Sequence, residues 1–473
     1  MKTQSKVWMY SVVIGSLILA KVEPQFNVIL CAAVSVYIVV RQRLDLIPLL
    51  ILANIPISSF FFGGGAEYGT FEYSVEVYQT AYINLFGLPI SAGLVCVVAM
   101  AFVCYSNFAK AAQLYYPGVF KPMFILWNVG ALFAVLIALN GMLIGNQGWA
   151  GPLRAYLSTV GIFYGYALTI RSSHMRETLF VDFLILFLCL GVLAVLGVFH
   201  HRILFLGAGF VPALALIALS RQNLASKFLG LANLIVWISY TLIGFTFRGE
   251  TTFTLMALFY VSFSLGLIIT LRLQRLTKIV GQFLAYPTIF IIILYMSLAI
   301  FGFNKFSIGD YGRSGAELTL VEEVQFKIFD DRAALWVTIW DDIMRDNKIL
   351  PIPGEDLLVM HPKRGMTYVR HGAHNSYLQA LRENGFLSGA IIIFLMFYTL
   401  MRSAKAYSLS VAGTTGALAI GSIATLTVGA VTGHYVIGQT IGVVIFMLGG
   451  MAMAGEDGHI YSNRAFGAMP GRL

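Results

Sequence analysis

Apolar runs separated by short polar clusters make up most of this chain. They occupy residues 7–22, 25–40, 44–62, 85–106, 123–146, 148–170, 179–199, 203–219, 225–246, 253–271, 279–303, 389–402, 411–432 and 434–454. A helix that crosses a bilayer needs roughly 20 predominantly apolar residues, and most of these runs approach that length. The pattern therefore predicts an all-α fold, a polytopic bundle of about fourteen transmembrane helices.

One long polar segment, from about Asn304 to Ser388, interrupts the apolar runs. A loop of that length usually carries function or structure of its own. We therefore expect three parts. Residues 1–303 form transmembrane helices 1 to 11, residues 304–388 form a loop that carries short helices, and residues 389–473 form helices 12 to 14 and a tail.

Lys and Arg collect at alternate turns, and short loops rich in these residues tend to remain cytoplasmic. Counted from a cytoplasmic N-terminus, the inside turns hold Arg41, Arg43, Lys110, Lys121, Arg171, Arg176, Arg221, Lys227, Arg272, Arg275, Lys278, Arg402 and Lys405. The same count places the tail in the cytoplasm and segment 304–388 at the outer face of the membrane. The first apolar run lacks a convincing cleavage site and is interpreted as an uncleaved span.

Composition agrees with a membrane protein and disfavours a soluble one. Hydrophobic residues make up 58% of the chain and charged residues only 11%, far from the balance of a soluble globular domain. The net charge of +9 arises from basic residues in short clusters between apolar runs, so we expect contact with membrane lipids and no nucleic-acid partner. The four cysteines lie inside apolar runs without metal-ligand spacing and are interpreted as small core residues.

An amphipathic helix is predicted over Asp330–Met344, within the long loop. Its apolar positions lie four apart on one side, with two tryptophans beside them: Leu335, Ile339, Ile343, Trp336 and Trp340. Such a helix would lie along the membrane surface with its tryptophan edge at the lipid headgroups. Four aspartates in or next to this helix do not converge on one point when placed on a helix, so we expect no bound metal.

The densest cluster of unusual residues follows at 371–385, immediately before an apolar run. It is predicted to form a short helix that ends at Gly385. On that helix His374 heads an apolar stripe that continues through Tyr377 and Leu381. A histidine at the lipid boundary can act as a general base, since its ordinary pKa is about 6.5. A capping or hydrogen-bonded loop histidine is the alternative interpretation.

The cluster resembles the signature of the O-antigen ligase and polysaccharide polymerase superfamily, which are polytopic glycosyltransferases of bacterial membranes. The residues that carry the resemblance are His374-Asn375-x-Tyr377-Leu378-x-x-Leu381-x-Glu383-x-Gly385. In the family pattern nine residues separate His-Asn from a glycine, as residues 376–384 do here. A second glycine or similar residue usually follows three positions later; Ser388 holds that place and Gly389 comes one residue late.

Two further elements resemble the same family. Arg332-Ala333-Ala334-Leu335-Trp336 is similar to its arginine-to-leucine element followed by a tryptophan, and Phe247-Arg248-Gly249 is similar to its Ser-Arg-Gly turn. Ser220-Arg221 offers a weaker match to that turn, because it faces the cytoplasm in the expected topology and lacks the glycine. We therefore favour Arg248 over Arg221.

The resemblance implies a glycan donor attached through diphosphate to a polyprenol, and a sugar or glycolipid acceptor. Arg248 and Arg332 would bind the diphosphate without a metal, because guanidinium groups stay charged and present forked donors. His374 would accept the proton of the attacking hydroxyl. Substrate contacts are expected from Asn375, Tyr377, Glu383, Arg364 and Arg370. For Arg364 and Arg370, solvation of the loop is the alternative interpretation. No cofactor is expected.

Several alternatives stay open at this level. A glycan transporter, or an export subunit without catalysis, would also have many spans and a few intramembrane charges. Within the enzyme interpretation, a ligase and a polymerase would use the same kind of donor and differ in the acceptor. Arg154 and Asp182, within or at the edge of apolar runs, are further functional candidates, because an isolated charge in lipid is costly.

Overall fold

A computed structural model describes most of the helical part of the chain. The described residues are 10–12, 15, 24–41, 46–54, 82–85, 88–111, 120–145, 149–170, 173–196, 210–248, 332–345, 351, 357–360, 367–370, 373, 375–409, 414–426, 430, 436–437 and 440–467. Of these residues, 91% are helical. The predicted spans at 253–271 and 279–303 lie outside the described residues, as does most of the first predicted span.

The helices follow the predicted apolar runs closely. They are α1 (Pro24–Val40), α2 (Ile47–Asn54), α3 (Ala92–Ala111), α4 (Phe120–Leu143), α5 (Gly151–Ile170), α6 (Ser173–Val195), α7 (Val211–Ser220), α8 (Leu224–Arg248), α9 (Arg332–Arg345), α10 (Ser376–Leu409), α11 (Thr414–Ala424) and α12 (Thr440–Gly467). The described residues also include two antiparallel hairpins, β1 (Tyr82–Leu85) with β2 (Leu88–Ser91), and β3 (Leu357–Met360) with β4 (Thr367–Arg370). The all-α expectation is therefore confirmed in its coarse form.

The first hairpin lies where the sequence predicts the start of a helix. The apolar run at 85–106 begins with the last residue of β1 and includes β2, and α3 begins only at Ala92. The Ser91 hydroxyl accepts a hydrogen bond of 3.1 Å from the Leu94 backbone N–H, which is the contact of a helix N-cap. Pro89, which has no backbone N–H, lies just before this cap. A hydropathy pattern alone does not reveal the cap at Ser91 or the effect of Pro89.

Among the described residues, two helices are long and apolar enough to cross a membrane. Their qualifying stretches are Pro122–Leu143 in α4 and Ser376–Tyr407 in α10, and the latter is divided into two helical parts at Gly385. In α4 the apolar character extends around the whole helix. One face is buried, while six large apolar side chains along the opposite face are between 45% and 86% exposed: Ile125, Val129, Leu132, Leu136, Leu139 and Leu143. An exposed apolar face of that length is what contact with lipid requires.

The centre of the bundle is the pair α5 and α12, which make the most extensive helix–helix contact among the described residues. A Cβ atom added to Gly161 would overlap the backbone carbonyl of Val443, and one added to Gly165 would overlap that of Met447. From the other side, a Cβ on Gly450 would overlap the backbone of α5. The two backbones are therefore in direct contact, which is typical of small-residue packing between membrane helices.

Hydrogen bonds join α6 to α8 inside the apolar core. Asn233 Nδ2 donates to the Leu184 carbonyl at 2.9 Å, and Trp237 Nε1 donates to the Phe187 carbonyl at 3.2 Å. Since a buried polar group without a partner is costly, such contacts fix the rotation of one helix against the other.

Asp182 and Arg221 both contact other helices. The Asp182 carboxylate accepts a hydrogen bond of 2.9 Å from the Tyr10 hydroxyl. Arg221 donates to Thr414 Oγ1 at 3.0 Å and lies 3.9 Å above the centre of the Phe180 ring. These contacts give both charged side chains a role in holding helices together.

The backbone contact between α5 and α12 predicts that a single methyl group added there lowers the stability of the protein. We expect Gly165→Ala to lower the free energy of unfolding by about 1–3 kcal/mol, the usual cost of overpacking a close contact. Thermal unfolding of the detergent-purified protein measures it. The matched control is Gly15→Ala, where an added Cβ meets no atom of the described residues within 4 Å. An equal unfolding temperature for the two variants would contradict the packing.

Candidate functional site

Helix α9 packs its apolar side against the start of α10. It begins at Arg332, close to the predicted start, and Leu335, Ile339 and Ile343 are all buried. They form one cluster with Ala373 and Leu381. The predicted amphipathic helix is thus present, and its apolar stripe faces protein.

The two tryptophans of α9 have different surroundings. Trp340 is 45% exposed. The Trp336 indole N–H instead donates a hydrogen bond of 3.0 Å to the backbone carbonyl of Ala373. The polar atom of Trp336 is therefore used within the protein, and the position of the two tryptophans relative to the lipid headgroups stays a prediction. Arg332 lies one helical turn before Trp336, and His374 directly follows Ala373 in the chain.

Asn375 is the N-cap of α10. Its Oδ1 accepts hydrogen bonds from the backbone N–H groups of Tyr377, at 2.9 Å, and Leu378, at 3.2 Å. The Asn375 carbonyl also accepts the Gln379 backbone N–H at 2.9 Å. The first N–H groups of a helix lack partners inside it, and an asparagine at this position supplies one. The described contacts of Asn375 are therefore those of a helix cap, whereas the sequence predicted a substrate contact.

Gln379 connects Ala373 to Glu383. Its Oε1 accepts the backbone N–H of Ala373 at 2.7 Å, and its Nε2 donates to Glu383 Oε1. Ala373 is fully buried, and both of its backbone polar groups have partners, Gln379 for the N–H and Trp336 for the carbonyl. The residue that precedes His374 is thereby held from two sides.

Glu383 lies at the first turn of α5. A Cβ added to Gly151, the first residue of that helix, would approach the Glu383 carboxyl carbon to 3.1 Å. The guanidinium groups of Arg154 and Arg382 interact electrostatically with this carboxylate. Burial is the largest influence on this carboxyl group and disfavours its charged form, whereas the Gln379 hydrogen bond and the two guanidinium groups favour that form. Arg154, which is 8% exposed, is thus close to the predicted site residue Glu383.

The chain reverses direction at Gly385. Its φ of 68° and ψ of 179° divide α10 into a short first arm, Ser376–Asn384, and a long second arm that continues to Leu409. Glycine adopts this backbone region readily and other residues almost never do. The rings of Tyr377 and Phe397 stack with centroids 5.3 Å apart, although 20 positions separate them in the sequence. The two arms therefore lie side by side, and the predicted short helix ending at a glycine is observed.

Small residues allow the two arms of α10 to approach each other. A Cβ added to Gly389 would lie 2.7 Å from the Ala380 carbonyl oxygen and 2.8 Å from the Leu381 Cα. Gly389 therefore lies at the contact between the two arms. It comes one residue after the position at which the family pattern has its second glycine.

Ser388, which stands at the family position itself, joins α10 to two other helices. Its hydroxyl donates to the Gly130 carbonyl at 3.1 Å, and the Tyr156 hydroxyl donates to the Ser388 carbonyl at 2.8 Å. The start of the long arm is thereby fixed to α4 and α5.

Tyr377 and Asn384 lie on the first arm and differ in how their polar atoms are used. The Tyr377 hydroxyl donates a hydrogen bond of 2.6 Å to the Leu426 carbonyl, next to α11. Asn384 is fully buried, and neither of its amide atoms has a hydrogen-bond partner among the described residues. Buried amides are normally satisfied by protein, water or ligand, so a donor and an acceptor are available here.

The other predicted site residues are described in part or not at all. Arg332 begins α9, Arg248 ends α8, and Arg370 ends β4 opposite Leu357; the structure describes their backbones and not their side chains. His374 and Arg364 lie outside the described residues. Of the predicted site, the structure therefore describes the two chain neighbours of His374, Ala373 and Asn375, and the first arm of α10.

Sequence reasoning did not assign roles to Gln379 and Arg382. The available signal was spacing, because Gln379 and Glu383 are four residues apart and therefore neighbours on one helix face. Trp336 was singled out for its resemblance to a family position, but its partner, Ala373, lies 37 residues away in the sequence and carries no recognisable side chain. Backbone partners of this kind leave no pattern in a single sequence.

A scan of the chain against protein-family models and a search of curated proteins found no match.

The cap predicts a local effect on amide exchange. We expect Asn375→Ala to lower the free energy of unfolding by about 1 kcal/mol and to speed hydrogen exchange at the Tyr377 and Leu378 amides, which lose their acceptor. Mass spectrometry of the peptide covering the first arm of α10 measures the exchange. The control is Asn223→Ala, which removes a similar contact, 3.0 Å long, from the Ala225 N–H of α8. Unchanged exchange in the first arm of the Asn375 variant would contradict the cap assignment.

Proposed function

We propose that the protein is a glycosyltransferase of the bacterial inner membrane. It transfers a glycan from a polyprenyl diphosphate to a sugar or glycolipid acceptor at the outer face, as an O-antigen ligase or a polysaccharide polymerase does. The observation that carries the proposal is the motif from His374 to Gly385, whose neighbouring backbone is held by Trp336 and Gln379. A site that performs proton transfer needs a base in a fixed position, and these contacts support one.

Membrane location is supported by the described helices. The exposed apolar face of α4 and the backbone contact between α5 and α12 both fit packing in lipid. The second arm of α10, from Gly385 to Leu409, is long enough to cross the hydrocarbon core, because a helix rises about 1.5 Å per residue. In the proposed topology the first arm lies at the outer end of this helix, where the lipid-linked donor would present its diphosphate.

The proposed reaction is a direct displacement at the sugar. His374 accepts the proton of an acceptor hydroxyl, whose oxygen attacks C1 of the donor sugar. The bond from C1 to the phosphate oxygen breaks, and the polyprenyl diphosphate leaves with the bonding electrons. Arg248 and Arg332 stabilise the negative charge of this leaving group, and no metal is required. Arg364 and Arg370 would bind phosphate or an acidic sugar of the substrate.

The contacts described above support a link between two of these residues. Arg332 begins the helix whose Trp336 binds the Ala373 carbonyl, and His374 is the next residue in the chain. The hydrogen bond between Trp336 and Ala373 therefore joins the segment of the proposed cation to the segment of the proposed base.

Alanine substitution of the proposed base and cation tests the chemistry. We expect His374→Ala and Arg332→Ala to insert normally, to abolish surface glycan and to cause lipid-linked glycan to accumulate, since a general base alone contributes about 10²–10⁴-fold to rate. Glycan electrophoresis and mass spectrometry of the lipid fraction measure both effects. Matched controls are His459→Ala and Arg41→Ala, both at predicted cytoplasmic positions. Normal glycan in the His374 and Arg332 variants would reject catalysis and favour a transport or export role.

A deletion strain separates the two acceptor classes. If the protein polymerises repeat units, the strain should retain single repeats on its surface acceptor and lose long chains. If it ligates finished glycan, the acceptor should be bare and long glycan should remain on the polyprenol. Electrophoresis of surface and lipid-linked glycan distinguishes these patterns. An unchanged surface glycan in the deletion strain would count against both assignments.

A further inference from the structure

We propose that Gln379 and Glu383 are positioning residues that fix the proposed base, His374, through the backbone of Ala373. This inference rests on the proposed function, because it concerns the placement of that base. Neither residue touches the reacting atoms in the proposal. Their role is to determine where the chain lies one residue before the histidine.

The Gln379 side chain has a defined orientation. An amide has a donating nitrogen at one end and an accepting oxygen at the other. Its Nε2 donates to Glu383 Oε1, so its Oε1 is directed at the Ala373 N–H, which it accepts at 2.7 Å. Gln379 is 5% exposed, so little water is present to replace either bond. The hydrogen bond to Glu383 thus favours the rotation of the amide that directs Oε1 at the Ala373 N–H.

The chain on both sides of position 374 is held by independent contacts. Before it, Ala373 binds Gln379 through its N–H and Trp336 through its carbonyl. After it, Asn375 accepts the N–H groups of Tyr377 and Leu378. Trp336 belongs to α9, whereas Gln379 belongs to α10, so Ala373 is held between two helices. Removing Gln379 releases one side of this arrangement.

Glu383 connects the arrangement to the centre of the bundle. Its carboxylate lies against Gly151 and interacts with Arg154, both in the first turn of α5. Helix α5 in turn contacts α12 through backbone atoms at Gly161 and Gly165. A continuous set of contacts therefore runs from the α5 and α12 pair to the residue before His374.

The expected effect of Gln379→Ala is on kcat. A displacement of a catalytic group by about 1 Å costs on the order of 10²-fold in rate, whereas groups that bind the donor remain in place. We therefore expect kcat to fall by about 10-fold to 100-fold and the KM for the donor to stay within about twofold. A purely structural role would lower the amount of folded protein and leave kcat per folded molecule unchanged.

An exchange of the two side chains provides a second, near-isosteric test. Gln379→Glu alone places two carboxylates together, so we expect a loss of kcat similar to that of Gln379→Ala. Adding Glu383→Gln restores a donor at position 383, and the glutamate at position 379 still accepts the Ala373 N–H. The double variant should therefore recover most of the lost kcat. Failure of this recovery, with folded protein present, would overturn the proposal.

The experiment uses the full-length protein in lipid nanodiscs with a polyprenyl-diphosphate-linked glycan and a sugar acceptor. Folded protein is quantified by size-exclusion chromatography, and kcat and KM are measured for the parent and for the Gln379→Ala, exchanged and His374→Ala proteins. Gln222→Ala, which changes an exposed glutamine before α8, is the control and should match the parent.

The outcomes separate this inference from the proposed function. An active parent, an inactive His374→Ala variant and a Gln379→Ala variant with parental kcat would overturn the positioning role and leave the proposed function standing. An inactive parent, or a His374→Ala variant as active as the parent, would overturn the proposed function and the inference with it. A selective loss of kcat in Gln379→Ala, recovered by the exchange, supports both.

Discussion

The reversal of the chain at Gly385 determines where the described residues of the candidate site lie. A φ of 68° with an extended ψ turns the first arm of α10 back along the second. Tyr377 can then stack on Phe397, and Gly389 can meet the backbone of Ala380. Without that reversal the first arm would extend α10 in a straight line, away from α9 and from the N-terminus of α5. The site therefore depends on a backbone conformation that glycine adopts at low cost.

Polar side chains around this reversal form hydrogen bonds to backbone groups more often than to each other. Trp336, Gln379, Tyr377 and Ser388 each contact a main-chain carbonyl or N–H. In an apolar setting each such bond satisfies a group that water cannot reach, and its loss leaves that group without a partner. A few uncharged side chains can therefore fix the relative position of several helices, which the proposed chemistry at position 374 requires.

The sequence predicts the helices of this protein better than it predicts the contacts of the site. The apolar stripe of α9 and the glycine end of the first arm of α10 follow from spacing and from the known preferences of glycine. The cap role of Asn375 was not assigned, although asparagine is common at that position. The contact of Gln379 with Ala373 was inaccessible, because its partner is a backbone group whose position depends on the tertiary fold. Hydropathy also failed at β2, where Pro89 and Ser91 delay the start of α3.

The direct contact between the backbones of α5 and α12 also limits how the protein can move. A glycine that lies against a carbonyl group cannot slide past the next residue without collision, so these two helices keep one register. Glu383 lies against the first residue of α5. It consequently keeps a constant position along the axis of α12. A rearrangement of the helices that opened the bundle would therefore take place at other helix contacts. The helices α5 and α12 would keep their relative position during it.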